Sequence, residues 1–351
     1  MILKRFGWLR GSIFSLPACG LLLAGAPLAT GQAWAWGHTG HVSIGLVAAD
    51  ALPNDLKAFL QTNEAETEIS EWNAELDVSK TAGDIHDFER DPGHFMDISD
   101  DGSIAGVTAI TTMPSSRRDF DTALRGASPA NTQYGEGYLY YSLVDGWQQV
   151  RKDFAYIRAY SVGLKTSKSF ADKAFFKTQL ELRRKLTLRD IGVWGHYVAD
   201  ASHPMHVSVH FNGWGNFPNP NNFTNAPIHA PFEGAYVKQY VKLEAIKKAL
   251  PPYHDCGCEI EARESQYLQA TLAQVDKTYE LAAVSNNYTT SNPKAVKFVA
   301  QRLAAGAAEL RDQIVDAWTS SATWVVGFPL INVADIESGK VKVNRDSFWS
   351  D

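Results

Sequence analysis

Residues 195–206 read GHYVADASHPMH, and this stretch sets the pattern for the rest of the chain. His196 and Asp200 are four positions apart, a spacing that places both side chains on one face of a helix. Pro204 disfavours helical structure at the residue before it, so the helix is predicted to end there. The chain then turns, which brings His206 toward the same end of the helix. The stretch therefore predicts a helical protein with metal-binding side chains gathered at a helix terminus.

Helical periodicity recurs along most of the sequence. Apolar residues three and four positions apart mark one face of a long segment at 293–324. Other helices are predicted near 41–52, 139–168, 172–184, 187–202, 232–250 and 259–285. Alternation typical of β-strands is confined to short pieces near 104–110 and 341–343. The predicted fold class is mostly α, a single-domain multi-helix bundle with long loops.

Composition excludes several classes of protein. The chain has 351 residues, 45% of them hydrophobic, which excludes an intrinsically disordered protein. Lys plus Arg is 33 against 39 Asp plus Glu, a formal net charge of −6. Such a balance gives no extended basic surface for nucleic acid, so any affinity for phosphate must be local.

The first 35 residues have the pattern of a signal peptide. Three basic residues among the first ten precede an uncharged stretch at 11–29, and Ala33-Trp34-Ala35 matches a signal-peptidase site. An uncleaved membrane anchor is disfavoured by Pro17 and Pro27 within the apolar stretch. We predict cleavage after position 35, which would make the protein secreted or periplasmic, with Trp36 as its first residue and 36–351 as its folded domain.

After that cleavage the chain keeps two cysteines, Cys256 and Cys258. A zinc site of the structural kind has four ligands, so the pair alone does not make one. In an oxidising compartment the two-residue spacing favours a local disulfide or an outward-facing pair.

Other candidate metal ligands repeat the pairing of His196 with Asp200. His229 and Glu233 have the same four-residue spacing, and Pro231 between them is tolerated in the first turn of a helix. Asp84 and His94 frame a loop, and His41 follows the predicted new terminus. An α-amine has a pKa of about 7.7–8.0, low enough to lose its proton to a metal near neutral pH.

Taken together, these histidines and carboxylates resemble the superfamily of S1/P1 nucleases and zinc-dependent phospholipases C, which are exported helical proteins with three zinc ions. The resemblance covers most of the chain from Trp36 to the C-terminal helix. It implies a fold of that type and three groups of zinc ligands, one of them including the amine and carbonyl of Trp36. Asp200 would bridge two of the ions. The implied ligands are Asp84, His94, His196 and Asp200 for one zinc, Trp36, His41 and Asp200 for the second, and His206, His229 and Glu233 for the third.

The same resemblance implies phosphoester hydrolysis by a hydroxide that bridges the two close zinc ions. Asp84 would orient this nucleophile and act as the catalytic residue. His203 would support a ligand through a hydrogen bond. No protein partner is implied.

The two branches of the superfamily have different substrates, and the sequence has features of both. The short step from Trp36 to His41 and the 23 positions from His206 to His229 resemble the nucleases. Glu233 resembles the phospholipases, because nucleases usually have Asp there.

The residues predicted to contact the substrate also have features of both branches. Phe95 and Asp97 match nuclease residues that stack on a base and bind its edge, although the phospholipases look alike here. The nucleases also have an arginine three residues after the loop aspartate, where this chain has Asp87, with Arg90 as a possible substitute.

An insert at about 98–186 is the largest departure from the familiar nucleases, since 102 positions separate His94 from His196. Its aromatic stretch at 131–147 either packs over the bundle or lines the substrate pocket. We predict a nuclease acting on single-stranded DNA or RNA and on 3′-nucleotides. The alternatives are a phospholipase C and a non-catalytic helical protein stabilised by its metals.

Overall fold

Helices make up most of the computed structural model, which describes residues 36–60 and 64–349. The mostly α fold class is therefore confirmed. The predicted signal peptide and its cleavage site lie outside the described residues. Within those residues, no helix is both long enough and apolar enough to cross a membrane.

The N-terminal part consists of short helices that precede the segment containing His94. Only the first of them was predicted. They are α1 (Gly37–Asp50), α2 (Asn54–Leu60), α3 (Ala65–Trp72), α4 (Glu75–Ser79) and α5 (Asp84–Arg90), followed by a 3-10 turn at Asp91–His94.

The predicted insert contains a hairpin and the beginning of a long helix pair. The short piece of β-structure predicted near 104–110 forms as a hairpin, which pairs β1 (Ser103–Ile104) with β2 (Thr108–Ala109) in antiparallel register. The helices that follow are α6 (Arg117–Ala127), α7 (Gln133–Glu136), α8 (Leu139–Thr166) and α9 (Phe170–Asp200). The prediction of two helices at 172–184 and 187–202 is wrong, because no proline or glycine interrupts 180–190 and the helix continues through it.

The helices of the C-terminal half are interrupted at more places than predicted. Segment 232–250 divides into a π-helical turn (Pro231–Tyr236), α10 (Val237–Tyr240) and α11 (Leu243–Ala249). Segment 259–285 divides into α12 (Ile260–Leu272) and α13 (Val275–Val284) without a proline or glycine at the break. After α14 (Pro293–Ser321), the second hairpin pairs β3 (Val325–Val326) with β4 (Ile331–Asn332), before α15 (Val333–Glu337) and a 3-10 turn at Arg345–Phe348. The strand predicted at 341–343 does not form.

The core lies among α1, α3, α8, α9 and α14, and the α8–α9 pair makes the most extensive contact. Two glycines of α9 allow α3 to approach closely. A Cβ atom at Gly192 would lie 2.6 Å from the Cβ atom of Trp72, and one at Gly195 would lie 2.5 Å from Nδ2 of Asn73. This approach places Asn73, just after α3, against the ligand-bearing end of α9.

Candidate metal centre

Three buried groups of histidine and aspartate side chains lie where the sequence predicts zinc. Within each group, one potential ligand atom per residue lies within 4.8 Å of the others. We call them the His94 cluster (His94, His196, Asp200), the His41 cluster (His41, Asp77, His196) and the His206 cluster (His203, His206, His229). His196 belongs to two of them.

Each of four histidines donates a hydrogen bond from Nδ1 to an oxygen that can only accept. His196 Nδ1 donates to the Asn73 carbonyl (2.6 Å) and His206 Nδ1 to the His94 carbonyl (2.7 Å). His41 Nδ1 and His229 Nδ1 donate in the same way, to Asn73 Oδ1 (3.0 Å) and to the carbonyl of Phe211 (2.8 Å). A neutral ring that donates from Nδ1 presents a lone pair at Nε2, the form that binds a metal.

The His94 cluster is a tight triangle of donor atoms. His94 Nδ1 lies 3.0 Å from His196 Nε2 and 3.0 Å from Asp200 Oδ2, and the remaining side measures 3.4 Å. The other oxygen of Asp200, Oδ1, faces His41 Nε2 at 3.4 Å. Asp200 therefore directs one oxygen toward each of two clusters, as expected of a bridging ligand.

The carboxylate that completes the His41 cluster is Asp77, which the sequence analysis did not select. Its Oδ2 lies 3.9 Å from His41 Nε2, and its Oδ1 lies 3.9 Å from His196 Nε2. The structure does not bring Asp84 to this site, because Asp84 begins α5 with an exposed side chain. The choice of Asp84 is corrected to Asp77, which α4 carries into the core only seven positions earlier.

Lys80 lies beside the newly assigned carboxylate, Asp77. Its Nζ atom lies 2.9 Å from Asp77 Oδ1, and its side chain is buried. Burial opposes the charge on Lys80, but the attraction of Asp77, Asp200 and Asp91 outweighs it and raises the pKa of Lys80. A lysine that stays charged thus lies three positions after the aspartate, where the nuclease branch has arginine.

The His206 cluster lies beside Glu233, as the sequence predicts. Nε2 of His229 is 3.0 Å from Nε2 of His206 and 2.9 Å from Oε2 of Glu233. His203 differs from the other two histidines, because its Nδ1 accepts from the Met205 N–H (3.2 Å). A neutral His203 therefore has its proton on Nε2, 3.7 Å from Glu233 Oε2, which suits a supporting role beside that carboxylate.

Trp36 is anchored between the metal centre and α9. Its indole Nε1 donates to the Ala199 carbonyl (2.9 Å) and to Ser202 Oγ (2.8 Å), and its ring packs against His203. The role of its α-amine stays a prediction.

Burial sets the protonation of these groups. Removal from water holds the pKa of His94, His196 and His206 well below the usual range, so the rings are neutral. Burial, with Asp77 nearby, raises the pKa of Asp200 well above its usual range. A carboxylate in this position needs a cation to remain ionised, and its partners within 4 Å among the described residues are three histidines.

The donor set fits zinc. With Zn–N distances of about 2.0–2.1 Å, tetrahedral ligand atoms lie about 3.3 Å apart. In the His94 cluster the three separations are 3.0, 3.0 and 3.4 Å. Lone pairs facing one another at 3.0 Å, as at His206 and His229, repel each other unless a cation lies between them. The clusters could therefore hold metal ions, and imidazole with carboxylate is a ligand set that suits zinc.

Phe95 and Asp97 follow His94 as predicted, and both are half-buried. A hydrogen bond from Asp97 N to the carbonyl of Glu136 (2.8 Å) ties this segment to the insert. Burial, and secondarily the charge of Glu136, raises the pKa of Asp97 to about 7. Contact of either residue with a substrate remains a prediction.

Sequence reasoning missed two residues of the centre, Asp77 and Asn73. The segment around them contains no histidine, and Asp77 shares no helical spacing with another ligand. Asn73 serves both His41 and His196, through its side chain and its backbone. The local signals of a buried segment were its apolar residues Ile69, Trp72 and Leu76.

Comparison with known proteins adds no relative. No protein-family model matches the chain, and no curated protein or solved structure matches it significantly. The resemblance to the S1/P1 nuclease and phospholipase C superfamily therefore depends on the motifs and on the clusters they form.

Proposed function

We propose that this protein is an exported zinc-dependent phosphodiesterase that cleaves single-stranded nucleic acid and removes 3′-phosphates from nucleotides. The three clusters would hold three zinc ions, and the fold would be of the S1/P1 nuclease and phospholipase C type. Asp77 replaces Asp84 in the ligand set, and the orienting role first expected of Asp84 passes to it.

One observation carries the proposal, namely the position of Asp200. Its Oδ2 faces His94 at 3.0 Å, and its Oδ1 faces His41 at 3.4 Å. A carboxylate shared in this way holds two ions close together, as in enzymes that hydrolyse phosphoesters with paired metals. A protein that used metals only for stability would need closed, independent sites.

Zinc ions held here would lower the pKa of water and neutralise charge on phosphoryl oxygens. The residues of the chain prepare the site for this chemistry. His196, His206 and His41 are oriented by their Nδ1 hydrogen bonds, and burial keeps bulk water away. Lys80, paired with Asp77, adds a positive charge that would help to offset the negative charge of a bound phosphate.

A phospholipase C is the second candidate, and Glu233 favours it. Glu233 Oε2 lies 2.9 Å from His229 Nε2, so glutamate takes the position that is usually aspartate in nucleases. The nuclease is preferred because Lys80 supplies the cation that the nuclease branch has three positions after its aspartate.

The test uses the full chain exported from a host cell, with its N-terminus sequenced after purification. Zinc-loaded protein is offered single-stranded DNA, RNA, 3′-AMP and phosphatidylcholine vesicles in parallel, with Asp77→Asn as the inactive control. Hydrolysis of the nucleic acids and 3′-AMP is expected. Phosphocholine release alone would establish the phospholipase instead, and no turnover of any substrate by a zinc-loaded protein would favour a stabilising role for the metals.

A further inference from the structure

A cavity of about 980 Å³ lies beside the metal centre and is lined mainly by residues of the insert. Tyr197, one turn before the end of α9, forms part of its wall and packs its ring 5.4 Å from that of His94. The cavity therefore adjoins the His94 cluster without including any of its ligands. The mechanism above assigns it no role.

Aromatic rings continue from the cavity to the surface. Tyr138 lines the cavity, and the Arg117 guanidinium lies over its ring at 3.5 Å. The Tyr134 ring meets the Tyr138 ring edge-on at 6.5 Å, and Phe88 stacks on Tyr134 at 4.9 Å. Phe88 is 62% exposed, so the row of rings ends at the surface.

Charge is divided between the two ends of the cavity. Arg90 and Arg117 lie at the Tyr138 end, and neither forms a salt bridge with any residue in 36–60 or 64–349. Arg117 is held by a hydrogen bond from Nε to Gln133 Oε1 (2.7 Å). The opposite end contains Asp145, Asp190 and Glu261, which would repel a phosphate. The Tyr138 end also contains Glu89, whose carboxylate accepts from the Tyr134 hydroxyl (2.9 Å), so two arginines face one carboxylate there and this end favours an anion more than the other does.

Backbone hydrogen bonds fix this end to segment 92–95, which contains His94. Tyr138 N donates to the Pro92 carbonyl (2.8 Å), and Leu139 N donates to the Phe95 carbonyl (3.1 Å). The Tyr138 hydroxyl also donates to the Glu89 carbonyl. The rings and guanidiniums thus keep a constant position relative to His94.

We propose that Tyr197, Tyr138, Arg117, Arg90, Tyr134 and Phe88 form a groove that binds the part of a single-stranded nucleic acid flanking the cleaved phosphate. We call it the Tyr138 groove. The proposal rests on the proposed function and deepens it, because it names the substrate as a strand longer than one nucleotide. The strand would run from the His94 cluster past Arg117 and Arg90 toward Phe88.

The chemistry favours a single strand over the other substrates. Aromatic rings that lead to exposed Phe88, with two arginines that form no salt bridge among the described residues, match the bases and phosphates of a flexible strand, and Tyr138, only 5% exposed, positions Arg117 there. A duplex hides its bases, and the acyl chains of a phospholipid offer neither bases to the rings nor a series of phosphates to the arginines. Local cations also agree with an acidic protein that lacks an extended basic surface.

The test measures binding rather than turnover. Zinc-loaded protein is titrated into fluorescent phosphorothioate oligothymidylates of 3 and 15 nucleotides, which resist hydrolysis, and anisotropy is followed at several salt concentrations. The variants are Arg117→Ala and Phe88→Ala. Matched controls are Arg125→Ala, an exposed arginine of α6, and Phe170→Ala, an exposed phenylalanine 89% accessible to solvent.

Loss of Arg117 should weaken binding of the 15-mer and reduce the slope of log K against log salt by about 0.7, one phosphate contact. Loss of Phe88 should weaken it at least about fivefold with the slope unchanged. Binding of the 3-mer should weaken less than binding of the 15-mer in both variants. Both control variants should bind the oligonucleotides like the unmodified protein.

Three outcomes distinguish a failure of the groove proposal from a failure of the proposed function. Unchanged 15-mer binding in both variants overturns the groove even if the protein proves to be a nuclease. Weakened binding in a protein that hydrolyses no nucleic acid supports the groove and overturns the proposed function. A protein that binds no oligonucleotide and cleaves only phosphatidylcholine overturns both.

Discussion

Two regions of this protein hold buried or half-buried carboxylates, and the two regions differ in the partners of those carboxylates. In the first region, which we call the arginine-paired set, each acid has a guanidinium partner. Arg263 pairs with Glu309 and Asp316, Arg311 pairs with Asp312 (2.6 Å), and Arg183 pairs with Asp153 (2.8 Å). In the metal centre, the ion-pair partners of Asp200 within 4 Å among the described residues are imidazole rings, and Lys80 pairs with the neighbouring Asp77 (2.9 Å).

The difference shows which region is complete without a ligand. Guanidinium donors satisfy a buried carboxylate, so the arginine-paired set needs nothing from outside the chain. In the metal centre, neutral imidazole rings and the Asp200 carboxylate face one another, and Lys80 pairs with Asp77. We therefore expect this centre to bind cations from outside the chain in addition to Lys80. Damage to the first region should lower stability, and damage to the second should lower metal content and activity.

The largest expected effect is that of Asp77→Asn. Loss of a ligand that faces both His41 and His196 should lower kcat/KM for a phosphodiester by about 10³-fold or more, beyond the 10–100-fold usual for supporting residues. Asp84→Asn is the matched control, since that carboxylate is exposed at the start of α5. It should keep activity within about twofold. Equal losses in the two variants would contradict the assignment of Asp77.

Arg263→Ala tests the other region. It removes the partner of two carboxylates at a site where the guanidinium itself is buried, and should lower the free energy of unfolding by about 3 kcal/mol. Zinc content should not change. Arg189→Ala, which removes an exposed pair with Asp190, should cost less than about 1 kcal/mol in the same urea titration. Loss of zinc from the Arg263 variant would show that the two regions are not independent.

Asn73→Ala should have an intermediate effect at the metal centre. The variant loses the Oδ1 acceptor that orients His41 but retains the backbone carbonyl that orients His196. Zinc affinity at the His41 cluster should fall by about 10–100-fold, measured by competition with a fluorescent chelator. If zinc affinity fell to the same extent at the His206 cluster, the effect of Asn73 would not be local to the His41 cluster.

The smallest effect concerns pH. Burial, partly opposed by Lys152 and Arg183, raises the pKa of Asp153 to about 6, from a reference value of 3.8. The folded state thus binds the proton more tightly, so this group favours folding at low pH and loses that contribution as pH rises from about 4 to about 6. Asp153→Asn should flatten this slope in urea titrations at pH 4.5 and 7. A slope identical to that of the unmodified protein would exclude the raised pKa.

Sequence reasoning predicted the fold class and most of the residues that the structure brings together in the three clusters, for identifiable reasons. His196 and Asp200 were found because helical spacing is visible in a sequence, and His229 with Glu233 for the same reason. Asp77 was missed because a short helix, not a spacing to another ligand, brings it to the site. A pocket wall was one of two interpretations of the aromatic stretch at 131–147, but its place beside His94 could not be predicted, because the proximity of Tyr138 to His94 depends on backbone hydrogen bonds between distant segments.

Helix boundaries show the same limit. The continuous α9 and the break between α12 and α13 have no proline or glycine signal, so tertiary packing decides them. Local signals did succeed at Cys256 and Cys258, where the disulfide, one of the two predicted arrangements, forms.

Metal content tests the central claim most directly. Protein purified without chelators and its Asp200→Asn variant would be analysed together by inductively coupled plasma mass spectrometry. We expect three divalent ions per chain, mainly zinc, in the unmodified protein and about one in the variant, held by the His206 cluster. A folded protein that binds no divalent ion under zinc-replete conditions, or a variant that keeps all three, would contradict this account of the metal centre.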